Sequence, residues 1–239
     1  MTGPGRMIGV GLGPGDPDLV TVKAARTIGA AKVIAYPALP DAESFARRIA
    51  APYIAAGTRE LVIEVPITPA RGPAQAAYDA GAARIADVLA AGMDVVVLCE
   101  GDPFFYGSFM YLHARLAGDY EVEVIPGITS VAAASAALGQ PLTARNEVLA
   151  TLPAPLDSDT LRNRMEAADS FAVMKLGRHI GRIRGLLDEL GLADQARYIE
   201  RATLPEQRVL PLAKAPDPAP YFSMILVTKG ADPWLKPAP

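Results

Sequence analysis

The chain has 239 residues, 51% of them hydrophobic and 21% charged, with 23 basic against 26 acidic side chains for a formal net charge of −3. That is the make-up of a well-packed soluble protein with room for one large domain or two small ones, and it excludes disordered and fibrous classes. The basic residues are spread along the chain, so the footprint of a nucleic-acid binder is missing. One cysteine (Cys99) and two histidines (His113 and His179) supply neither a disulfide framework nor a metal cluster. There is no run of 18 apolar residues and no basic-then-apolar start, so the expectation is a cytoplasmic protein with no membrane partner.

In chain order, residues 6–13 are an apolar strand pattern ending in glycines, followed by helix-forming residues from Asp18 onward. Lys32–Tyr36 reads as a strand, Glu43–Ala56 as a helix, Leu61–Val65 as a strand, and Pro73–Ala91 as a long helix opened by proline. Met93–Cys99 is almost wholly apolar, the mark of a strand covered on both faces. A helix at Ser108–Leu116, a strand at Glu121–Ile125 and a small-residue helix at Thr129–Leu138 follow. This alternation predicts a parallel sheet flanked by helices over residues 1–140.

Gly139–Asn146 carries turn residues without periodicity and reads as a hinge. Beyond it come Val148–Leu152, a polar helix at Ser158–Ala168, Phe171–Lys175, a helix at Ile180–Leu190, and strands at Arg197–Ile199, Gln207–Leu210 and Tyr221–Thr228. More strands and fewer helices predict a second α/β domain, residues 146–231, with a mixed sheet. The proline-rich stretch 232–239, with Trp234, reads as a surface tail.

The loop GVGLGPGD at residues 9–16 raises the question of a dinucleotide. A G-x-G-x-x-G fingerprint fails in both registers, since position 14 is proline when counting from Gly9 and position 16 is Asp16 when counting from Gly11. The next strand ends in Tyr36-Pro37 without the carboxylate a ribose would want, and no Gly-Lys-Ser/Thr follows for a P-loop. The loop is then either a bare strand-to-helix turn or one wall of a site for another ligand. Two further loops have the same character, Glu100-Gly-Asp-Pro-Phe-Phe-Tyr-Gly and Pro126-Gly-Ile-Thr-Ser. In an open parallel sheet ligands sit outside the carboxyl ends of strands, so three such loops can line one cleft.

VGLGPGDPDLVTVKA, CEGDPFFYGSFMYL and IPGITSVAAASAALGQPL, in this order and at these separations, resemble the motifs of the tetrapyrrole (corrin/porphyrin) methylases. ERATLPEQRV and YFSMILVTKG are also similar to that family, so the resemblance spans nearly the whole chain. Within the family, ARNEVLATLPAPL, KLGRH and the whole of CEGDPFFYGSFMYL look most like the members that methylate precorrin-2 at C20 in cobalamin biosynthesis, giving precorrin-3A. The resemblance implies two α/β domains with the cofactor, S-adenosylmethionine, in a cleft between them, S-adenosylhomocysteine as product, a tetrapyrrole substrate and a homodimer. Other readings remain open: another corrin-ring position, cobalt-precorrin-2, diphthamide or ribosomal RNA as target, or a tetrapyrrole-binding module without turnover.

Positions carried over from the family motifs place Pro14, Gly101, Asp102, Thr129 and Ser130 near the cofactor, with Leu176 and Ala202 contributed by the second domain. Asp102 orients either the cofactor's polar groups or the loop itself. Glu100 does likewise or is a plain loop carboxylate. A carboxylate tight against the sulfonium would stabilise the ground state more than the transition state, which argues against acid/base work at either. Thr129-Ser130 reads as a helix cap, as a ligand contact, or as both at once. The substrate's carboxylates call for arginines, and Arg145, Arg178 and Arg201 beside the recognised segments are candidates, with simple solvation the alternative. No Ser-His or Cys-His constellation is evident, so the sequence names no catalytic base and no metal. Cys99 reads as an apolar filler of a buried strand.

Overall fold

The structure, a computed structural model, describes residues 3–66 and 71–230. The proline-rich end from Asp232, with Trp234, lies outside the described residues. The chain divides into two compact units at Thr129/Ser130, so the small-residue helix after this point goes with the second unit.

In the first unit, β1 (Met7–Gly11), β2 (Val33–Ala38), β3 (Arg59–Glu64), β4 (Val95–Cys99) and β5 (Val122–Ile125) form a parallel sheet in the order β3-β2-β4-β1-β5. The connections carry α1 (Val22–Ala30), α2 (Phe45–Ala50), α3 (Arg71–Ala90) and α4 (Phe109–Leu116). Successive side chains of a strand point to opposite faces. Val95, Val97 and Cys99 accordingly join Ile85, Leu89 and Leu112 of α3 and α4, while Val96 and Leu98 join Ala24, Ile28 and Ile49 of α1 and α2. With helices on both faces every position of β4 is buried, which is why its sequence shows no alternation.

Local chemistry moves some element ends away from the apolar pattern. Pro17–Leu19 closes into a 3-10 turn in which Asp16 Oδ1 accepts from the Asp18 N–H at 2.9 Å. The helix α1 starts only after Thr21, whose Oγ1 accepts from the Ala24 N–H at 3.2 Å. The expected helix over 43–56 is cut to α2 because Pro52 has no N–H to continue the ladder, and Ala51–Tyr53 goes on as a 3-10 turn. Met93 and Asp94 stay out of β4, with the Asp94 carboxylate accepting from the Arg6 main-chain N–H (2.8 Å) and guanidinium (3.0 Å).

The second unit begins with α5 (Ser130–Leu138). Its sheet takes the order β6-β7-β10-β8-β9 from β6 (Leu149–Pro153), β7 (Ser170–Met174), β8 (Ala196–Glu200), β9 (Arg208–Leu210) and β10 (Ser223–Thr228). Only β6 and β7 run parallel; the other three pairings are antiparallel, so the sheet is mixed. Phe171, Val173, Tyr198 and Ile225 form its core with Leu161 and Met165 of α6 (Ser158–Ala167) and Ile183 and Leu187 of α7 (Ile180–Glu189). Both β7 and β8 run opposite to β10, and Met224 is the partner of Met174 and of Ile199, so the carboxyl ends of β7 and β8 lie at one end of this sheet.

Candidate functional site

The strand order puts β1 between β4 and β5, so the loops leaving these three strands meet. Gly13 and Gly101 pair with each other, N–H to carbonyl in both directions at 3.2 and 2.8 Å, and both adopt positive φ (+74° and +64°) that glycine takes without strain. Gly11 and Gly127 pack backbone to backbone. A side chain on Gly11 would place its Cβ 2.5 Å from the Gly127 nitrogen, and one on Gly127 would meet the Gly101 carbonyl oxygen at 2.1 Å. The glycines therefore allow three loops to lie against one another. The N–H groups of Gly13 and Gly101, which a pyrophosphate would need, are used up in that contact, a second reason why this is no dinucleotide grip.

Asp102 fastens the arrangement. Its Oδ1 accepts from the Phe104 N–H at 2.9 Å and its Oδ2 from the Gly127 N–H at 3.0 Å, so one side chain ties the β4 loop to itself and to the β5 loop. Of its two expected roles, orienting the loop is visible in the structure. Glu100, two residues before, is half-buried, and loss of water alone pushes its carboxyl up to about 6. Pro14, Gly101, Thr129 and Ser130 are half-buried, with Ser130 opening α5. Cys99 is 1% exposed and burial pushes its thiol up, as suits a packing residue. His113 is ringed by aromatics, edge-on to Phe104 with ring centres 5.1 Å apart.

In the second unit the chain leaves β7 through Lys175 and β8 through Arg201, both in left-handed backbone (φ +59° and +48°), a conformation that costs a side-chain-bearing residue roughly 1 kcal/mol or more. Leu176 and Ala202 follow directly. Leu176 is wholly buried in the core of this unit; Ala202 is half-buried. Arg178 is exposed in the 3-10 turn Gly177–His179 after β7, and Arg201 stands at the same end of the sheet after β8. In the same turn the His179 imidazole is held below its ordinary pKa by burial and by Arg182 and Arg178.

Arg145 takes a left-handed conformation (φ +49°) in the segment that leads into β6. It lies between Pro141, whose carbonyl accepts from Thr228 Oγ1 at 3.0 Å, and Val148, whose N–H donates to Asp169 at 2.8 Å. Thr228 pairs with Ser170, at the start of β7, so both anchors sit at the opposite end of the sheet from Arg178 and Arg201. Parallel pairing of β6 with β7 carries the segment there, a fact that proximity in sequence to a motif does not reveal.

The sequence reading also passed over Glu200 and Tyr198. Glu200 is completely buried, and its Oε1 accepts from the Tyr198 hydroxyl at 2.9 Å. The signal was present: two hydrogen-bonding residues two apart on β8 share one face of the strand.

The family Tetrapyrrole (Corrin/Porphyrin) Methylases matches residues 6–216. The chain belongs to this family. It is 42% identical over 234 residues to a Precorrin-2 C(20)-methyltransferase of Sinorhizobium sp., covering 94% of this chain and 96% of that one. It is 44% identical over 239 residues to the Cobalamin biosynthesis protein CobIJ of Mycobacterium tuberculosis (strain H37Rv), covering 96% of this chain and 47% of the relative; the chain thus spans about half the length of the CobIJ relatives it matches. Among solved structures, Uroporphyrin-III C-methyl transferase from Thermus thermophilus complexed with S-adenyl homocysteine superposes with a TM-score of 0.66 at 28% identity, covering 93% of this chain and 97% of that one. Among the described residues no helix is long and apolar enough to cross a membrane.

Proposed function

We propose that this chain transfers a methyl group from S-adenosylmethionine to C20 of precorrin-2, giving precorrin-3A and S-adenosylhomocysteine in cobalamin biosynthesis. The observation that carries this reading is the 42% identity to a Precorrin-2 C(20)-methyltransferase over nearly the full length of both chains. The loops at the ends of β1, β4 and β5 support it, because Gly101 has no atom within 4 Å of where a side chain would start and so leaves its main chain open to close approach.

Pro14, Gly101, Asp102, Thr129 and Ser130 are assigned to the cofactor in this proposal, as are Leu176 and Ala202 of the second unit. When bound, the cofactor supplies an electrophilic methyl group on a positively charged sulfur. Both Asp102 oxygens accept from main-chain N–H groups, so this carboxylate fixes the loop. The work left to the protein is alignment of two reactants, which in favourable intramolecular cases is worth about 7–11 kcal/mol. Arg145, Arg178 and Arg201 are assigned to carboxylates of the macrocycle. The reading includes a cytoplasmic homodimer, which sedimentation of the purified chain checks.

The deciding experiment mixes purified protein with methyl-labelled S-adenosylmethionine and precorrin-2 under anaerobic conditions, with a parallel arm of cobalt-precorrin-2. Label at C20 of the metal-free product, located by NMR, is the expected result. Label only in the cobalt arm would reassign the substrate, and none in either arm would remove the reading.

A further inference from the structure

Glu200, the last residue of β8, is 0% exposed. A carboxylate taken out of water is costly unless it is paired and hydrogen-bonded. Its Oε1 has the Tyr198 hydroxyl, and burial together with this bond raises the phenol well above its ordinary pKa, so Tyr198 remains a donor. Its Oε2 has no hydrogen-bond partner among the described residues.

Two guanidinium groups stand over that oxygen. Arg208 Nη1 is 3.6 Å away and Arg201 Nη1 is 3.9 Å away. Arg208 is the register partner of Glu200 across the β8–β9 pair, which fixes where its side chain starts. Arg201 is turned out of the strand by its positive φ, with its N–H bonded to the Phe222 carbonyl at 2.7 Å. Both side chains are open to solvent, Arg201 40% and Arg208 57% exposed, above a carboxylate that is not. Both gaps exceed hydrogen-bonding distance, so guanidinium donors are left for another acceptor. Two positive charges over one buried negative charge leave a net positive group at the end of the sheet where β7 and β8 finish.

We infer that Arg201 and Arg208 clamp one acidic side chain of the ring substrate, with Glu200 as the positioning residue that holds the two guanidinium groups side by side. The inference rests on the proposed reading that the substrate is a tetrapyrrole bearing acetate and propionate groups. It adds Arg208 and Glu200 to the site and gives the buried carboxylate a task.

The test titrates the full chain and its variants with uroporphyrin III, an octacarboxylate macrocycle, followed by porphyrin fluorescence, and in parallel with S-adenosylhomocysteine by calorimetry. The variants are Arg208→Ala, Arg201→Asn (asparagine tolerates left-handed backbone), Glu200→Gln and their combinations. Arg208→Ala and Arg201→Asn are each expected to weaken porphyrin binding about tenfold or more, as loss of a charged hydrogen bond does, and Glu200→Gln to weaken it by letting the two guanidinium groups part. Arg208→Ala should keep its S-adenosylhomocysteine affinity within about twofold, and Glu200→Gln should add nothing once both arginines are gone. Unchanged porphyrin affinity in Arg201→Asn and Arg208→Ala overturns the clamp, and these two exposed positions decide the matter even if Glu200→Gln fails to fold. A Glu200→Gln loss that persists without the arginines overturns its positioning role. If the unaltered chain binds S-adenosylhomocysteine but no porphyrin, the tetrapyrrole reading falls, and the clamp with it.

Discussion

Asp102 Oδ2 accepts a hydrogen bond from the Gly127 main-chain N–H at 3.0 Å, across 25 positions of sequence. With Oδ1 on the Phe104 N–H, this one carboxylate sets the shape of two of the three loops assigned to the cofactor.

Asp102→Ala should therefore lower S-adenosylhomocysteine affinity by about tenfold or more while costing the fold only about 1–3 kcal/mol, the usual effect of losing charge-assisted bonds to main-chain donors. Calorimetry and urea denaturation measure the two separately. Full affinity in the variant would mean that the loop geometry does not matter to the cofactor.

Gly127→Ala is expected to destabilise by about 1–3 kcal/mol or more, because its methyl would sit 2.1 Å from the Gly101 carbonyl oxygen and main chain cannot swing aside as a side chain can. Gly118→Ala, where a Cβ meets nothing within 4 Å, is the control and should stay within about 0.5 kcal/mol of the unaltered chain. Thermal unfolding of the pair distinguishes a required glycine from an incidental one.

Glu100 makes stability depend on pH in a stated direction. Its carboxyl is raised to about 6 in the fold by burial, so the native state holds its proton more tightly than the unfolded chain does. The stability this provides is complete below the unfolded value near 4.5 and is lost as pH rises through about 6, a swing of roughly 2 kcal/mol. Glu100→Gln, which carries no charge to bury, should be more stable than the unaltered chain at pH 8 by up to that amount and no more stable at pH 4. Urea midpoints at the two pH values test it, and an equal difference at both would show that the charge is not the cause.

Cys99 should resist a maleimide in the native state and react only on unfolding, since it is 1% exposed and its thiol is raised by burial. Rapid labelling without denaturant would contradict the packing of β4.

Much of this was legible from local pattern. The apolar run at β4 announced burial on both faces because a covered strand tolerates polar groups nowhere, and Val95–Cys99 is buried throughout. The glycine and proline loops were recognisable one by one. Helix ends were less so, as at Pro52 and Thr21, where a missing donor and a side-chain cap overrode an apolar pattern that ran further.

The sequence by itself determined the order of strands and helices, the two-sided burial of the first sheet and the absence of a dinucleotide fingerprint, because these follow from contacts a few residues long and from side-chain type. Only the tertiary structure decided that β1 lies between β4 and β5, that Asp102 reaches Gly127, that the segment holding Arg145 is anchored at the end of the sheet opposite Arg201, and that Glu200 is buried beneath two arginines. Strand order and register are set by which distant segments pack together, and no periodicity within a single segment encodes that choice.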